Sequence, residues 1–237
     1  MIKILGKPES VNVRKVLWTC SELEIPYEHE AWGSGHRPTN TPEFLAFNPN
    51  AMVPVIVDDG FVLWESNTIC RYLAARHGKG RLLPTEPSAR AMVEQWMDWQ
   101  ATELNPAWRY AFMARVRQNA AYQDAQLIAA SADTWNRLMG LLNQQLQATG
   151  GFASGTEFTL ADVVLGLSIH RWYMTPIERP TLPAVARYYD ALSRRPGFHG
   201  SWPQRHPLAG LPTSPLTAAC NGARRTITLN PTPEDRG

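Results

Sequence analysis

Two small polar residues stand at the start of the first predicted helix, where they could contact a ligand. Ser10 and Asn12 lie in the stretch ESVNVRKV, which follows the apolar opening MIKILGK. A serine hydroxyl at a helix N-terminus can cap the helix by accepting a backbone N–H. It can also donate to a bound anion, which the helix dipole favours as well. Both readings of Ser10 are open at this point, and Asn12 is either a second donor or simply exposed.

A second polar pair, Glu65 and Ser66, stands at the start of another predicted helix. Backbone N–H groups at a helix start bind anions, the Ser66 hydroxyl adds a donor, and the Glu65 carboxylate can accept from an ammonium. This set suits the head group of an α-amino acid, which carries both charges. The alternative is plain helix capping by Ser66, with Glu65 in solvent.

The dipeptide Val53-Pro54 could form an edge that binds an extended peptide. An X-Pro bond can be cis at a cost of about 0.5–1 kcal/mol. A cis bend would leave the N–H and C=O of Val53 free to pair with a ligand as an added strand. The alternative is an ordinary trans proline that starts a strand.

The composition argues against several classes of protein. The chain has 237 residues, of which 44% are hydrophobic and 19% charged, and its net charge of +2 is too small to indicate nucleic acid or an acidic membrane as partner. We find no apolar run that would span a bilayer and no signal-peptide pattern, so we predict a cytoplasmic protein. Three dispersed cysteines without a CxxC motif fit a reducing compartment. The six histidines form no HExxH motif, and we predict no metal.

Hydrophobic periodicity predicts a small α/β domain over residues 1–78. Short apolar runs alternate with helical patterns in the order β-α-β-α-β-β-α. The last two strands are joined by Asp58-Asp59-Gly60, which is a tight-hairpin signal. The next segment, residues 79–87, is rich in glycine and proline and predicts a linker.

Only helical patterns follow the linker, which predicts an all-α domain over residues 88–199. Ser88 is predicted to cap its first helix. The stretch FTLADVVLGLSIHRW is apolar on nearly every side, which predicts a buried central helix. Thr159 and Asp162 at the start of this helix form a capping box. Residues 200–237 lose the periodicity, and we predict a poorly ordered tail there.

The order of the elements and four short motifs resemble the glutathione transferase superfamily. MVPVI is similar to the family's cis-proline element, and WESNTICRYLA is similar to its Glu-Ser glutathione-binding helix start. FTLADVVL is similar to the capping motif of its buried helix. SVNVRKVLW together with NPAWR resembles a bacterial branch related to theta-like and nu-like transferases. The resemblance covers roughly residues 1–199 and implies a thioredoxin-like N-terminal domain.

The resemblance implies that the co-substrate is glutathione and that its peptide part has two anchors. The cysteinyl part would pair with the edge formed by Val53 and Pro54, which implies the cis bond. The γ-glutamyl end would bind at Glu65 and Ser66.

The resemblance also implies roles near the sulfur and the glycyl end of glutathione. Ser10 falls where serine-type members keep the hydroxyl that stabilises the thiolate, and Asn12 falls where nu-like members have an asparagine near the sulfur. The loop WGSGHRPTN would reach the glycyl carboxylate, with His36 and Arg37 as the candidate groups.

The helical domain would supply an apolar wall for a second substrate, an electrophile. The candidates for this wall are the aromatic residues Trp108, Phe112, Trp172 and Tyr173, together with Arg109 for a polar or anionic group. The predicted activity is conjugation of the glutathione thiolate to a small, hydrophobic electrophile, and the family implies a homodimer. Two alternatives stay open: glutathione-dependent reduction of disulfides or peroxides, and a non-catalytic binding protein that keeps the fold.

Overall fold

The computed structural model of the chain describes residues 1–199, and its first seven elements form a small α/β domain. These elements are β1 (Ile2–Leu5), α1 (Val11–Glu22), β2 (Tyr27–Glu30), α2 (Pro42–Leu45), β3 (Val55–Asp58), β4 (Phe61–Trp64) and α3 (Ser66–His77). The strands form one mixed sheet in the order β2-β1-β3-β4. β1 and β2 run parallel, and the other two pairs are antiparallel. The predicted thioredoxin-like element order is confirmed.

The centre of this domain is an apolar core built around the two middle strands of the sheet, β1 and β3. Ile4 of β1 and Ile56 of β3 face each other in the ladder and are both fully buried. The predicted hairpin between β3 and β4 is confirmed. Asp59 and Gly60 both have positive φ angles, 49° and 85°, as a two-residue hairpin turn matched to the strand twist requires.

The remaining described elements are helical. They are α4 (Pro87–Trp99), a π-helical turn (Gln100–Leu104), α5 (Asn105–Arg115), a 3₁₀ turn (Ala120–Tyr122), α6 (Ala125–Thr149), α7 (Leu160–Met174), α8 (Pro183–Ser193) and α9 (Pro196–His199). The predicted cap of α4 is wrong by two residues. Glu86, not Ser88, is the N-cap, because its carboxylate accepts the backbone N–H groups of Ser88 and Ala89 while Pro87 occupies the first helical position.

α7 is the buried central helix that the sequence predicts. Its capping box is confirmed. The Thr159 backbone N–H donates to Asp162 Oδ2 at 2.7 Å. In addition, the Thr159 hydroxyl donates to the same oxygen at 3.0 Å. Asp162 Oδ1 also accepts from the Ala153 N–H and the Tyr188 hydroxyl. Burial raises the pKa of Asp162 although these donors counteract the rise.

The helical part packs against the α/β part chiefly through α1 and α7. Gly166 lies at the contact, where a Cβ atom would come within 3.2 Å of the Trp18 ring and 2.8 Å of Leu192 Cδ1. None of the helices within residues 1–199 is long and apolar enough to cross a membrane. The predicted domain boundaries at 78 and 88 remain predictions. The tail predicted for residues 200–237 lies outside the described residues.

Candidate functional site

The turn between β1 and α1 presents the hydroxyl of Ser10 at the start of α1. The Ser10 backbone N–H donates to the Lys7 carbonyl at 3.1 Å, and the Ser10 carbonyl accepts from the Arg14 N–H at 3.0 Å. Ser10 is the N-cap residue by its backbone, yet its side chain makes no capping hydrogen bond. The reading of Ser10 as a side-chain cap is therefore wrong. Ser10 and Asn12 are both half-buried, and the Ser10 hydroxyl and the Asn12 amide lie at the positive end of the helix dipole.

The predicted cis bond between Val53 and Pro54 is confirmed. The β3 ladder begins only at Val55, so the sheet does not pair the backbone groups of Val53. Gly6, just after β1, lies against this bend with φ +152°, and a Cβ atom there would fall 3.1 Å from Val53 Cβ and 2.5 Å from Val13 Cγ2. Only a glycine permits this approach, which brings the turn before Ser10 close to the Val53 edge.

The start of α3 has a strained backbone. Glu65 has φ 72° and ψ 110° and is exposed, whereas Ser66 is 6% exposed. This combination of φ and ψ on a residue other than glycine is costly, and strained residues of this kind cluster at binding sites. Trp64 pairs with Val55 in the β3–β4 ladder, so Glu65 follows directly beside the Pro54 bend. The sheet thus brings the two predicted anchors together.

The loop between β2 and α2 contains His36 and Arg37, whose side chains already have partners in the protein. His36 Nε2 lies 3.5 Å from a carboxylate oxygen of Glu9, next to Ser10. Arg37 pairs with Glu30 at 3.2 Å and with Glu43 at 2.9 Å, and its guanidinium stacks on Trp32 at 3.8 Å. A ligand carboxylate that reaches Arg37 would therefore compete with two others.

A buried lysine that the sequence analysis missed links the two halves of the molecule. Lys15 of α1 donates to Asn67 Oδ1 at 3.0 Å and to Gln100 Oε1 at 2.9 Å. Gln100 donates onward to Asn105 Oδ1 at 2.8 Å and to Ser168 Oγ at 3.0 Å. Gln100 opens a π-helical turn, a distortion frequently found at functional sites. This chain of amides joins the start of α3 to α4, α5 and α7.

The charge of Lys15 has no carboxylate partner at hydrogen-bond distance within residues 1–199. Burial lowers the pKa of the Lys15 ammonium to about 8, partly opposed by Cys70 and by Glu65, and the cation of Arg171 adds to the lowering. The thiols of Cys20 and Cys70 are buried packing groups, and burial raises their pKa values to about 12 and about 11. Neither thiol is suited to act as a nucleophile at neutral pH.

Two of the predicted wall residues come together on α5 and face a cation. The rings of Trp108 and Phe112 lie 5.3 Å apart. The guanidinium of Arg171, from α7, lies 4.2 Å above Trp108 and 4.6 Å above Phe112. The Trp108 indole N–H donates to Asn105 Oδ1 at 3.1 Å, so this aromatic pair is connected to the amide chain of Lys15.

The other three predicted wall residues do not join this group. Trp172 is 1% exposed and donates its indole N–H to Asn136 at 2.9 Å, so it belongs to the core against α6. Tyr173 packs between Trp172 and Tyr189 with centroids 5.1 and 5.0 Å away. Arg109 is exposed on α5, because a step of one residue turns a helix by about 100° away from Trp108.

Comparisons with known proteins identify the family. Residues 9–76 match the glutathione S-transferase N-terminal domain. The chain is 38% identical to glutathione S-transferase GstB of Escherichia coli K12 over 198 residues. The aligned region covers 83% of this chain and 95% of that protein. The chain belongs to the glutathione S-transferase family. A theta-class transferase of Xanthomonas axonopodis pv. citri, solved with glutathione bound, has 36% identity and a TM-score of 0.80, covering 86% of this chain and 98% of the other.

A cleft of about 770 Å³ in this transferase lies elsewhere on the helical part. Its walls come from α5, α6 and the segment after α7, and include Arg115, Asp133, Asn136 and Arg179. No residue of the sheet lines it, so it does not adjoin Ser10 or Val53. Within residues 1–199 no group of three or more metal-ligating side chains lies close enough together to hold a metal ion.

The residues that sequence reasoning missed in this transferase are Lys15, Asn67, Gln100 and Arg171. Lys15 carries no local signal, because it lies in a helical pattern that is typical of exposed charge between apolar positions. Arg171 could have been found from its place in the stretch FTLADVVLGLSIHRW, since a charged residue in a helix predicted to be buried is unusual. Asn67 follows Glu65-Ser66 directly, and its place inside a motif was the one available clue.

Proposed function

We propose that this glutathione transferase conjugates the thiolate of glutathione to small, hydrophobic electrophiles, with Ser10 as the thiolate's partner. The observation that carries this proposal is the Ser10 hydroxyl, which stands at the start of α1 and is not used to cap it. A helix N-terminus that leaves its cap hydroxyl free can offer both a dipole and a donor to an anion.

Glutathione would bind across the edge that the cis bend leaves unpaired. The Val53 backbone would pair with the cysteinyl part beside Pro54, as an added strand does. Glu65 would accept from the γ-glutamyl ammonium, and the α3 start with Ser66 would hold its carboxylate. Support for this arrangement comes from the ladder that sets Glu65 beside Pro54 and from the strained φ of Glu65.

The glycyl carboxylate would lie toward the loop of His36 and Arg37. His36 is the better candidate there, because its ionic partner within residues 1–199 is an exposed glutamate 3.5 Å away. Arg37 already neutralises two carboxylates. In this proposal Arg37 therefore orders the loop and contributes charge at longer range.

The energetics of thiol activation match what one hydroxyl and a helix start can supply. A free thiol has a pKa of about 8.5, which leaves roughly 3% thiolate at pH 7. Lowering that pKa to about 6.5 gives roughly 75% thiolate and needs about 2.7 kcal/mol. A hydrogen bond to an anion contributes about 1.5–3 kcal/mol and the helix N-terminus about 0.3–1 kcal/mol.

The chemical step is a displacement at carbon. The glutathione thiolate forms a C–S bond to the electrophile, and the leaving group departs with the bonding electron pair. The thiol proton has already gone to solvent, so no general base is required. Asn12, two residues into α1, would donate its amide to the sulfur, and Trp108 and Phe112 would hold the apolar body of the electrophile. Positioning and nucleophile activation then supply the rate.

Replacing Ser10 with alanine tests this proposal. We expect Ser10→Ala to raise the pKa of the bound glutathione thiol by about 1 to 2 and to lower kcat/KM for 1-chloro-2,4-dinitrobenzene about 10- to 100-fold at neutral pH. Ultraviolet absorbance of the bound thiolate against pH measures the first quantity, and steady-state kinetics measure the second.

Ser21→Ala is the matched control, since Ser21 is an exposed serine near the other end of α1. An unchanged thiol pKa in Ser10→Ala would show that Ser10 activates nothing. Turnover of a hydroxyethyl disulfide without conjugation would instead favour the reductase alternative. Glutathione binding without either reaction would favour the binding-protein alternative.

We also propose that the transferase is a cytoplasmic homodimer. The family supports the dimer, and Cys20 and Cys70, which are free and buried, support a reducing compartment. Light scattering of the purified chain at micromolar concentration tests the dimer, and the expected result is the mass of two chains.

A further inference from the structure

The charge environment of Arg171 points to a class of electrophile. Arg171 is mostly buried, yet within residues 1–199 its guanidinium makes no hydrogen bond and no ion pair, only the two contacts with aromatic rings. Burying a guanidinium without a carboxylate is unfavourable. Burial and the neighbouring Arg117 lower the pKa of Arg171 to about 10, which leaves it a cation at neutral pH.

The position of Arg171 follows from the packing of α1 against α7. Trp18 contacts α7 at Gly166, and Lys15 is linked through one glutamine to Ser168. The two helices therefore run alongside each other in opposite directions. Arg171 lies three residues beyond Ser168 along α7, and Asn12 lies three residues before Lys15 along α1. At 1.5 Å per residue, these two residues lie at about the same level, next to the Ser10 end of α1.

Other cations surround the same place. Arg117, two residues after the end of α5, has its guanidinium 5.7 Å from the Phe112 ring centroid, and Arg171 also contacts this ring. The ammonium of Lys15 is close enough to Arg171 for the two charges to interact. Within the described residues, the aromatic pair Trp108 and Phe112 is thus faced by positive charge that no carboxylate pairs. Such a site favours an anion over a neutral molecule of the same shape.

We propose that Arg171 determines specificity by binding a carboxylate on an aromatic or apolar electrophile whose body rests on Trp108 and Phe112. This inference rests on the proposed function and names the substrate class of the same site. The planar guanidinium donates two parallel hydrogen bonds to the carboxylate. The thiolate attacks the ring carbon that bears the leaving group, the C–S bond forms, and the leaving group departs as an anion. Arg171 takes no part in that bond exchange and acts only by holding the carboxylate.

A matched pair of electrophiles tests the proposal. 4-Chloro-3,5-dinitrobenzoate and 4-chloro-3,5-dinitrobenzamide have the same ring and the same chloride leaving group, but only the first is charged. The wild-type enzyme is expected to show a higher kcat/KM for the benzoate than its chemical reactivity relative to the amide explains. Arg171→Gln is expected to lower kcat/KM for the benzoate about 10- to 100-fold and to change the value for the amide less than threefold.

Two further variants and a binding measurement complete the design. Arg171→Lys keeps the charge without the planar fork and should recover part of the preference. Arg137→Gln removes an exposed arginine from α6 and should leave both rates unchanged. Tryptophan fluorescence with the unreactive 3,5-dinitrobenzoate and 3,5-dinitrobenzamide reports the same preference as dissociation constants, without any turnover.

Equal losses with both electrophiles in Arg171→Gln would overturn the inference, since Arg171 would then act on the ring or the fold and not on the carboxylate. An unchanged benzoate preference in that variant would overturn it as well. In both cases the amide is still conjugated by the wild-type enzyme, so the proposed transferase function stands. Failure of the wild type to conjugate either compound would overturn both proposals together.

Discussion

At the scale of one residue, the backbone conformation of Glu65 shows how strain can indicate a binding site. Glu65 and Glu24 are both exposed glutamates with positive φ angles, 72° and 56°. Glu24 follows the C-terminus of α1, where a left-handed residue commonly ends a helix. Glu65 stands before the N-terminus of α3, where capping does not need positive φ. The helix therefore does not require this conformation, which leaves room for the proposed role of Glu65 in binding glutathione.

Replacing Glu65 with glutamine tests this difference. Glu65→Gln keeps the size of the side chain but removes the negative charge that would accept from the γ-glutamyl ammonium. We expect the dissociation constant for glutathione to rise about tenfold, which is about 1.4 kcal/mol, as measured by titration calorimetry. Glu24→Gln is the matched control and should bind glutathione as the wild type does. Equal affinities for all three proteins would remove Glu65 from the site.

At the scale of the element, the N-terminus of α7 depends on one buried carboxylate. Asp162 accepts the Thr159 N–H and hydroxyl, the Ala153 N–H and the Tyr188 hydroxyl. Removing the carboxylate would leave several donors buried without a partner, which costs more than losing an exposed cap. Asp124, the N-cap of α6, offers that comparison, because its carboxylate accepts two backbone N–H groups at the surface.

We expect Asp162→Ala to lower the free energy of unfolding by about 3 to 5 kcal/mol. Asp124→Ala should lower it by only about 1 kcal/mol. Urea denaturation followed by far-ultraviolet circular dichroism measures both values. Similar losses in the two variants would mean that the extra donors around Asp162 contribute nothing to stability.

At the scale of the whole molecule, Lys15 joins the α/β part to the helical part. Its ammonium bridges Asn67 of α3 and Gln100 at the end of α4. Because Asn67 directly follows Ser66, this bridge also holds the start of α3 in place. The contact is stabilising through its hydrogen bonds and destabilising through the buried charge.

The buried charge of Lys15 predicts a specific dependence of stability on pH. Its pKa is about 8 in the folded protein and about 10.4 in an unfolded chain. Between these values the unfolded state binds more protons, so the Lys15 contribution to the free energy of unfolding rises with pH. We expect the difference between wild type and Lys15→Met to grow by up to about 3 kcal/mol from about pH 8 to about pH 10.5. Urea denaturation across this range measures it.

Lys79→Met controls for the loss of an exposed lysine, and its difference from wild type should stay constant over the same range. The comparison with Lys15→Met also cancels the ionisation of Cys20, which both proteins share. A pH-independent difference for Lys15→Met would contradict the burial of an ionised lysine at this joint.

The sequence by itself determined the features that depend on neighbours close in the chain. Patterns only a few residues long identify three of these features through periodicity, turn chemistry and capping. They are the element order, the Asp59-Gly60 turn and the Thr159–Asp162 capping box. The cis bond at Pro54 came from a family motif of similar length. The cap of α4 was missed because two acceptable capping residues, Glu86 and Ser88, stand two positions apart.

Among the described residues, only the tertiary structure decided which polar side chains are paired within the protein and which stay open to a ligand. Serine is a typical N-cap residue, but in the folded protein the Ser10 hydroxyl makes no capping hydrogen bond. Lys15 and Gln100 meet across 85 positions of the chain, and Arg171 of α7 reaches Trp108 of α5 only once the helical part has folded. Local spacing cannot encode these encounters, because burial, partnership and charge environment are properties of surfaces that come together after the helices dock.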